Sequence, residues 1–246
     1  KERWDELNIY SVILPRGSEY QVPEVFAMFN VMKADYILAR KLLFDGVEDK
    51  QTETGSYADT LDYANYGVRS SLLTLAQRAS LDLLDKIAVA SLSFFNIENA
   101  RRASFKTAWY KSSKSNRNTY RPEVEEEIVK GNTALLAITE IANDLSESTG
   151  FLKSKQDVRN SSTHRFTVLH DLGVARTESS GCIEHMDERK FISETIETLK
   201  LARSALIYFV QMIDIHTERF QVENEGLICT LDVPSHEYIR HGEGEK

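Results

Sequence analysis

Leu72-Leu73-Thr74-Leu75-Ala76-Gln77-Arg78-Ala79-Ser80-Leu81-Asp82-Leu83-Leu84-Asp85-Lys86-Ile87-Ala88-Val89-Ala90-Ser91-Leu92-Ser93-Phe94-Phe95 is the most apolar helical segment of the chain. Leu72, Ala76, Ala79, Leu83, Ile87, Ala90 and Phe94 recur at three- and four-residue steps and make one helical stripe. Leu84, Ala88, Leu92 and Phe95 widen it. A helix with so broad an apolar face needs neighbours on more than one side, so it is expected at the centre of a helical bundle.

The flanking sequence supplies those neighbours. After Pro23, the spacing of Val25, Phe29, Met32, Tyr36, Ala39 and Leu43 predicts a helix that Asp45-Gly46 closes. Glu48 to about Asn65 is polar and acidic and reads as a loop. Residues 101–121 have poor periodicity and suggest a short helix around Trp109, then a Ser/Lys/Asn/Arg loop. Pro122 restarts order. Asn132 is placed to cap a helix carrying Leu135, Ile138, Ala142 and Leu145, in a region that ends at Gly150. Phe166, Val168, Leu169 and Leu172 give a short apolar continuation to Gly173, and residues 174–185 read as a loop. A last, long helix carries Ile192, Ile196, Leu199, Ala202, Leu206, Phe209, Ile213 and Phe220. Ile9 to Leu14 is β-rich, and Leu227, Cys229, Leu231 and Val233 alternate at period two, so the two ends are expected to be extended and able to pair. The expected fold is all-α: a four- to five-helix up-and-down bundle with short extended segments at its ends. Residues 1–60 read as an extension with one helix and an acidic loop, 61–222 as the helical domain, and 223–246 as an extended segment and tail.

The chain has 246 residues and 41% hydrophobic content, enough for a large core. No apolar run approaches the roughly 20 residues of a membrane span. The N-terminus, Lys1-Glu2-Arg3-Trp4-Asp5, has no apolar signal segment and no initiating Met, which fits a piece of a longer protein. Two cysteines, Cys182 and Cys229, fit a reducing, cytoplasmic setting better than a disulfide framework. A net charge of −8 argues against a nucleic-acid partner, with one local exception. Arg101, Arg102, Lys106, Lys111, Lys114, Arg117 and Arg121 fall within 101–121 with no Asp or Glu among them, so the remainder carries −15. Such segregation can bring a polyanion to one face. The segment reads either as an RNA-contacting flap, with Trp109 or Tyr120 stacking on a base, or as a soluble loop whose Phe105 and Trp109 are core.

Arg159-Asn160-Ser161-Ser162-Thr163-His164 carries the chemistry-bearing residues. A fixed cation and a group that moves protons near neutral pH are two parts of a metal-free RNA cleavage site. On a helix Asn160 and His164 share a face, Arg159 can bend toward the same end, and the small Ser161, Ser162 and Thr163 leave room beside the ring. In that reading His164 is general acid or base, Arg159 stabilises phosphate charge and Asn160 orients groups. The plainer reading is a helix start capped by Ser161 or Ser162. His164, His170, Asp171 and His185 raise a metal reading, but His164 and His170 are six apart and no carboxylate completes a triad by spacing. No metal and no cofactor are expected, and His170-Asp171 is assigned a supporting role or a helix C-terminal charge interaction.

With Arg159-Asn160 and His164, the segment Ser80–Ala88, the pieces Ser104-Phe105-Lys106 and Trp109-Tyr110, and Asn132, Leu135 and Leu145, the chain resembles the HEPN superfamily over about residues 60–215. These are all-helical proteins, many of them metal-independent ribonucleases with an Arg, a polar residue and a downstream His. The resemblance implies a helical bundle, commonly a homodimer with two Arg–His motifs meeting at a two-fold cleft; the residues themselves put Ser161, Thr163 and His170 in support. It implies an effector role in bacterial stress or phage defence, coupled to a regulatory or sensor domain or partner. The alternative it admits is a catalytically silent module that dimerises or binds a nucleotidyltransferase-like partner. RNA is the expected substrate, and no membrane partner is expected.

Overall fold

The computed structural model describes residues 7–9, 11–13, 22–48, 53, 55–111, 119–146, 166–172, 182–223 and 230–232. Five α-helices lie among them: α1 (Glu24–Val47), α2 (Val68–Phe94), α3 (Pro122–Val129), α4 (Thr133–Ser146) and α5 (Glu188–Glu223). Five short strands accompany them: β1 (Ser11–Ile13), β2 (Ala64–Asn65), β3 (Phe166–His170), β4 (Ile183–Asp187) and β5 (Thr230–Asp232). The fold is therefore mostly helical with two small sheets, one of two strands and one of three, rather than all-α.

α2 packs along α1 on one side and α5 on another, as its broad apolar face requires. Leu73, Ala76, Leu83, Leu84, Ile87, Ala88 and Leu92 are all buried. Its polar residues fit this core by bonding within or between helices. Ser80 and Ser91 donate to the carbonyls of Ala76 and Ile87, and Gln77 Nε2 donates to Thr198 Oγ1 of α5. α5 is an equal hub, about 54 Å long at 1.5 Å per residue. It touches α1, α2, α4 and both groups of strands. Phe29 of α1 stacks on Phe209 of α5 with centroids 6.2 Å apart.

Gly46 does not stop α1 by a left-handed turn. It lies in the last turn, where a Cβ would sit 2.9 Å from Leu73 Cδ2, so it lets α1 approach α2 closely. The left-handed stop comes at Gly131, with φ +93°. There Gly131 N–H donates to Ile128 O and Asn132 N–H to Glu127 O, the paired bonds that close α3. Asn132 then caps α4, its Oδ1 accepting from Leu135 N–H at 3.1 Å, while its Nδ2 donates to Met212 O of α5 at 3.0 Å. One residue thus ends α3, starts α4 and anchors both to α5.

The extended ends pair as expected: β1 and β5 are antiparallel, with Val12 opposite Leu231. The second sheet departs from the sequence reading. Phe166–His170 is a strand rather than a helical continuation, and 183–187 is a strand rather than the end of a loop. β3 pairs with β4 in parallel, Val168 opposite His185 and His170 opposite Asp187. β2 pairs antiparallel with β3, Ala64 opposite His170. Alternation turns buried Leu169 and Met186 to one face of this sheet and His170 and His185 to the other.

Candidate functional site

Arg159, Asn160, Ser161, Thr163 and His164 lie outside the described residues, as do Lys114 and Arg117 and the side chain of Arg102. The rest of the expected site falls into two places. One is the basic segment; the other is the outer face of the β2–β3–β4 sheet, whose middle strand begins two residues after His164 in the sequence.

The basic segment stands on a built aromatic base. Asp85 Oδ1 of α2 accepts from Phe105 N–H at 2.8 Å, Trp109 Nε1 donates to Phe105 O at 2.7 Å, and both rings are buried edge to face. Trp109 is thus core and offers no stacking surface. Tyr120 is half-buried, stacked on Tyr110 and hydrogen-bonded to Thr139, so its ring is also engaged. Burial is the chief cause that pushes the Tyr110 phenol well above its usual range, and its hydroxyl donates to Asn143. Lys111 N–H donates to Thr119 O and Arg121 N–H to Trp109 O, joining residues 109–111 to 119–121. Arg121 is partly buried, with Nε donating to Ala108 O at 2.7 Å, so it ties this base together. Lys106 is partly buried, whereas Arg101 and Lys111 are exposed cations.

On the sheet, Glu188 at the start of α5 is buried and joins three elements. Arg69 Nη1 of α2 reaches its Oε2 at 2.5 Å and Asn65 Nδ2 of β2 reaches the same oxygen at 2.9 Å. Ser70 Oγ donates to Asn65 O, so β2 is fixed against the start of α2. An open cleft of about 540 Å³ lies here, lined by Tyr63, Ala64, Asn65, Asp171, Leu172, Glu188 and Arg189.

His170 sits at the end of a strand, so the helix C-terminal role has no helix to act on. It is 1% exposed. Its Nδ1 lies 2.9 Å from Asp62 O and its Nε2 lies 2.8 Å from His185 Nδ1. The Asp62 carboxylate completes a group whose ligand atoms all lie within 4.8 Å of one another. Thr60 Oγ1 donates to Asp62 Oδ1 at 2.5 Å, and this bond first, then the nearby His170 ring, hold the Asp62 carboxyl below its ordinary range. Sequence spacing singled out His170 and His185 but not Asp62, which is 108 residues from His170. Only the β2–β3 pairing brings it there, and a two-residue strand leaves no periodic signal.

Among the described residues no helix is long and apolar enough to cross a membrane. The family model described as LA2681-like HEPN matches residues 17–237. No curated protein and no solved structure matches the chain.

Proposed function

From its membership of the LA2681-like HEPN family, established across residues 17–237, we propose that this protein is a metal-independent endoribonuclease, an effector of bacterial stress or anti-phage defence acting in the cytoplasm. The observation that carries the reading is the Arg159-Asn160…His164 motif inside a chain of that family. HEPN proteins are generally ribonuclease-type or regulatory modules, and an Arg, an amide and a His supply what the nuclease chemistry needs.

His164 takes the proton of a ribose 2′-hydroxyl as that oxygen attacks the adjacent phosphorus. Arg159 makes a planar, two-point contact to the phosphate as negative charge builds on it. Asn160 donates a hydrogen bond that orients the phosphate. The bond from phosphorus to the 5′-oxygen breaks, and the leaving oxygen takes a proton from a second His164 across a homodimer interface. The products are a 2′,3′-cyclic phosphate and a 5′-hydroxyl. Arg101 and Lys111, exposed beside the aromatic base, give RNA phosphates a place to bind.

The test is the chemistry of the ends. An RNA oligonucleotide should yield cyclic or 3′-phosphate and 5′-hydroxyl termini, and a single deoxyribose at the cut position should block cleavage there. Cleavage of the deoxy-substituted strand, or 5′-phosphate products, would overturn the mechanism. Absence of cleavage with retained dimerisation would point to the silent module.

A further inference from the structure

The proposed cleavage steps use neither His170 nor His185. They project from neighbouring parallel strands onto the same sheet face, diagonal to one another across the Val168–His185 register. The Asp62 carbonyl can only accept, so the 2.9 Å contact assigns the proton of His170 to Nδ1. In the neutral ring Nε2 then carries the lone pair, and it faces His185 Nδ1, 2.8 Å away. A ring held through one nitrogen by a backbone carbonyl, with the other nitrogen free to coordinate, is how protein imidazoles are oriented toward metals. The Asp62 carboxylate on the same spot supplies the negative charge that a cation requires and that a neutral imidazole pair does not.

We propose that Asp62, His170 and His185 form a binding site for a divalent cation of the zinc class, tying the loop before α2 to the β3–β4 sheet. Two imidazole nitrogens and one carboxylate suit Zn²⁺ and its late first-row neighbours, whereas Ca²⁺ and Mg²⁺ prefer all-oxygen shells. Two nitrogens on one tetrahedral zinc sit about 3.3 Å apart at bonds of about 2.05 Å. The rings therefore part by about 0.5 Å from their 2.8 Å contact when the ion enters. Asp62 and His185 are partly exposed, so the fourth coordination position opens to solvent. The ion would also stiffen one wall of the cleft at Tyr63, Ala64 and Asp171, which flank the ligands in sequence.

The full 246-residue chain, stripped with chelator and dialysed, is titrated with Co²⁺ by visible absorption and with Zn²⁺ by calorimetry. One equivalent per chain should bind, with tetrahedral Co²⁺ bands that Zn²⁺ bleaches. Zn²⁺ at a hundredfold excess over Kd should raise Tm by about 5 °C or more. His185→Ala and Asp62→Asn, at partly exposed positions, should keep the wild-type circular dichroism and weaken Zn²⁺ by on the order of 100-fold, since even outer partners of a metal cost 10–100-fold. Failure of the wild type to bind Zn²⁺ or Co²⁺ stoichiometrically would overturn the site. So would binding that both variants leave unchanged, which would place the ion elsewhere. These readouts involve no RNA, so their failure leaves the ribonuclease reading standing.

Discussion

Replacing Glu127 by Gln removes one charge from the joint between α3 and α5 while keeping its shape. Glu127 is buried; Arg219 Nη2 lies 2.6 Å from its Oε1 and His216 Nδ1 3.1 Å from its Oε2. Burial alone would raise its pKa, but the hydrogen bonds and charges of His216 and Arg219 overcome that and hold it at about 2, against 4.5 when free. A folded-state pKa below the unfolded one means that ionisation favours the fold. That contribution is complete above pH 4.5 and is lost as pH falls toward 2. The gap of roughly 2.5 units corresponds to about 3 kcal/mol at neutral pH, falling to about 1 kcal/mol at pH 3. Gln stands in for the protonated acid, so the variant should be less stable by those amounts. Urea denaturation of both proteins, followed by circular dichroism at pH 7 and pH 3, measures the gap. A difference below about 1 kcal/mol at pH 7, or one that does not narrow at pH 3, would show that the Glu127 charge does not hold this joint.

Gly131→Ala should cost about 1 kcal/mol in the same denaturation assay, because φ is +93° while no atom lies within 4 Å of the added Cβ, so the cost is backbone strain alone. Burial first, then the neighbouring Glu218, push Asp214 up to about 6. Its folded-state pKa is above the unfolded one, so the penalty of ionising it is absent below pH 3.8 and complete above about pH 6. Asp214→Asn should accordingly stabilise the protein by about 2–3 kcal/mol at pH 7 and leave it unchanged at pH 3. Reversing Arg101 and Lys111 to Glu together should weaken RNA binding and flatten its salt dependence while leaving Tm unaltered, as read by filter binding across a salt series.

α1, α2 and α5 were legible because each carries a long stripe at helical spacing, much of it buried in the core, whereas the eight-residue α3 has no such stripe and the short helix expected around Trp109 is a run of turns. Asn132 announced itself as a cap, and the ends paired because β-rich residues at 9–14 and period two at 227–233 are local signals. The inner sheet was not legible. Val168 and Leu169 sit in too short a run to separate strand from helix, and parallel partners need a connection whose length hides the pairing. Gly46 read as a stop because composition cannot tell a left-handed turn from a close helix contact. For Trp109 the sequence left core and stacking platform both open; burial edge to face against Phe105 decides for core. At the candidate site the two imidazoles were visible in sequence and their carboxylate was not, since only tertiary pairing carries Asp62 to them.

The proposed role of His164, moving the protons of RNA cleavage without a metal, is tested by single-turnover cleavage of RNA in excess EDTA, with wild type and His164→Ala side by side and binding measured on the same samples. Wild type should cleave, and His164→Ala should lose at least about 100-fold in rate while binding RNA as tightly as wild type. Equal rates for the two proteins, or cleavage by wild type only when Mg²⁺ is restored, would contradict it.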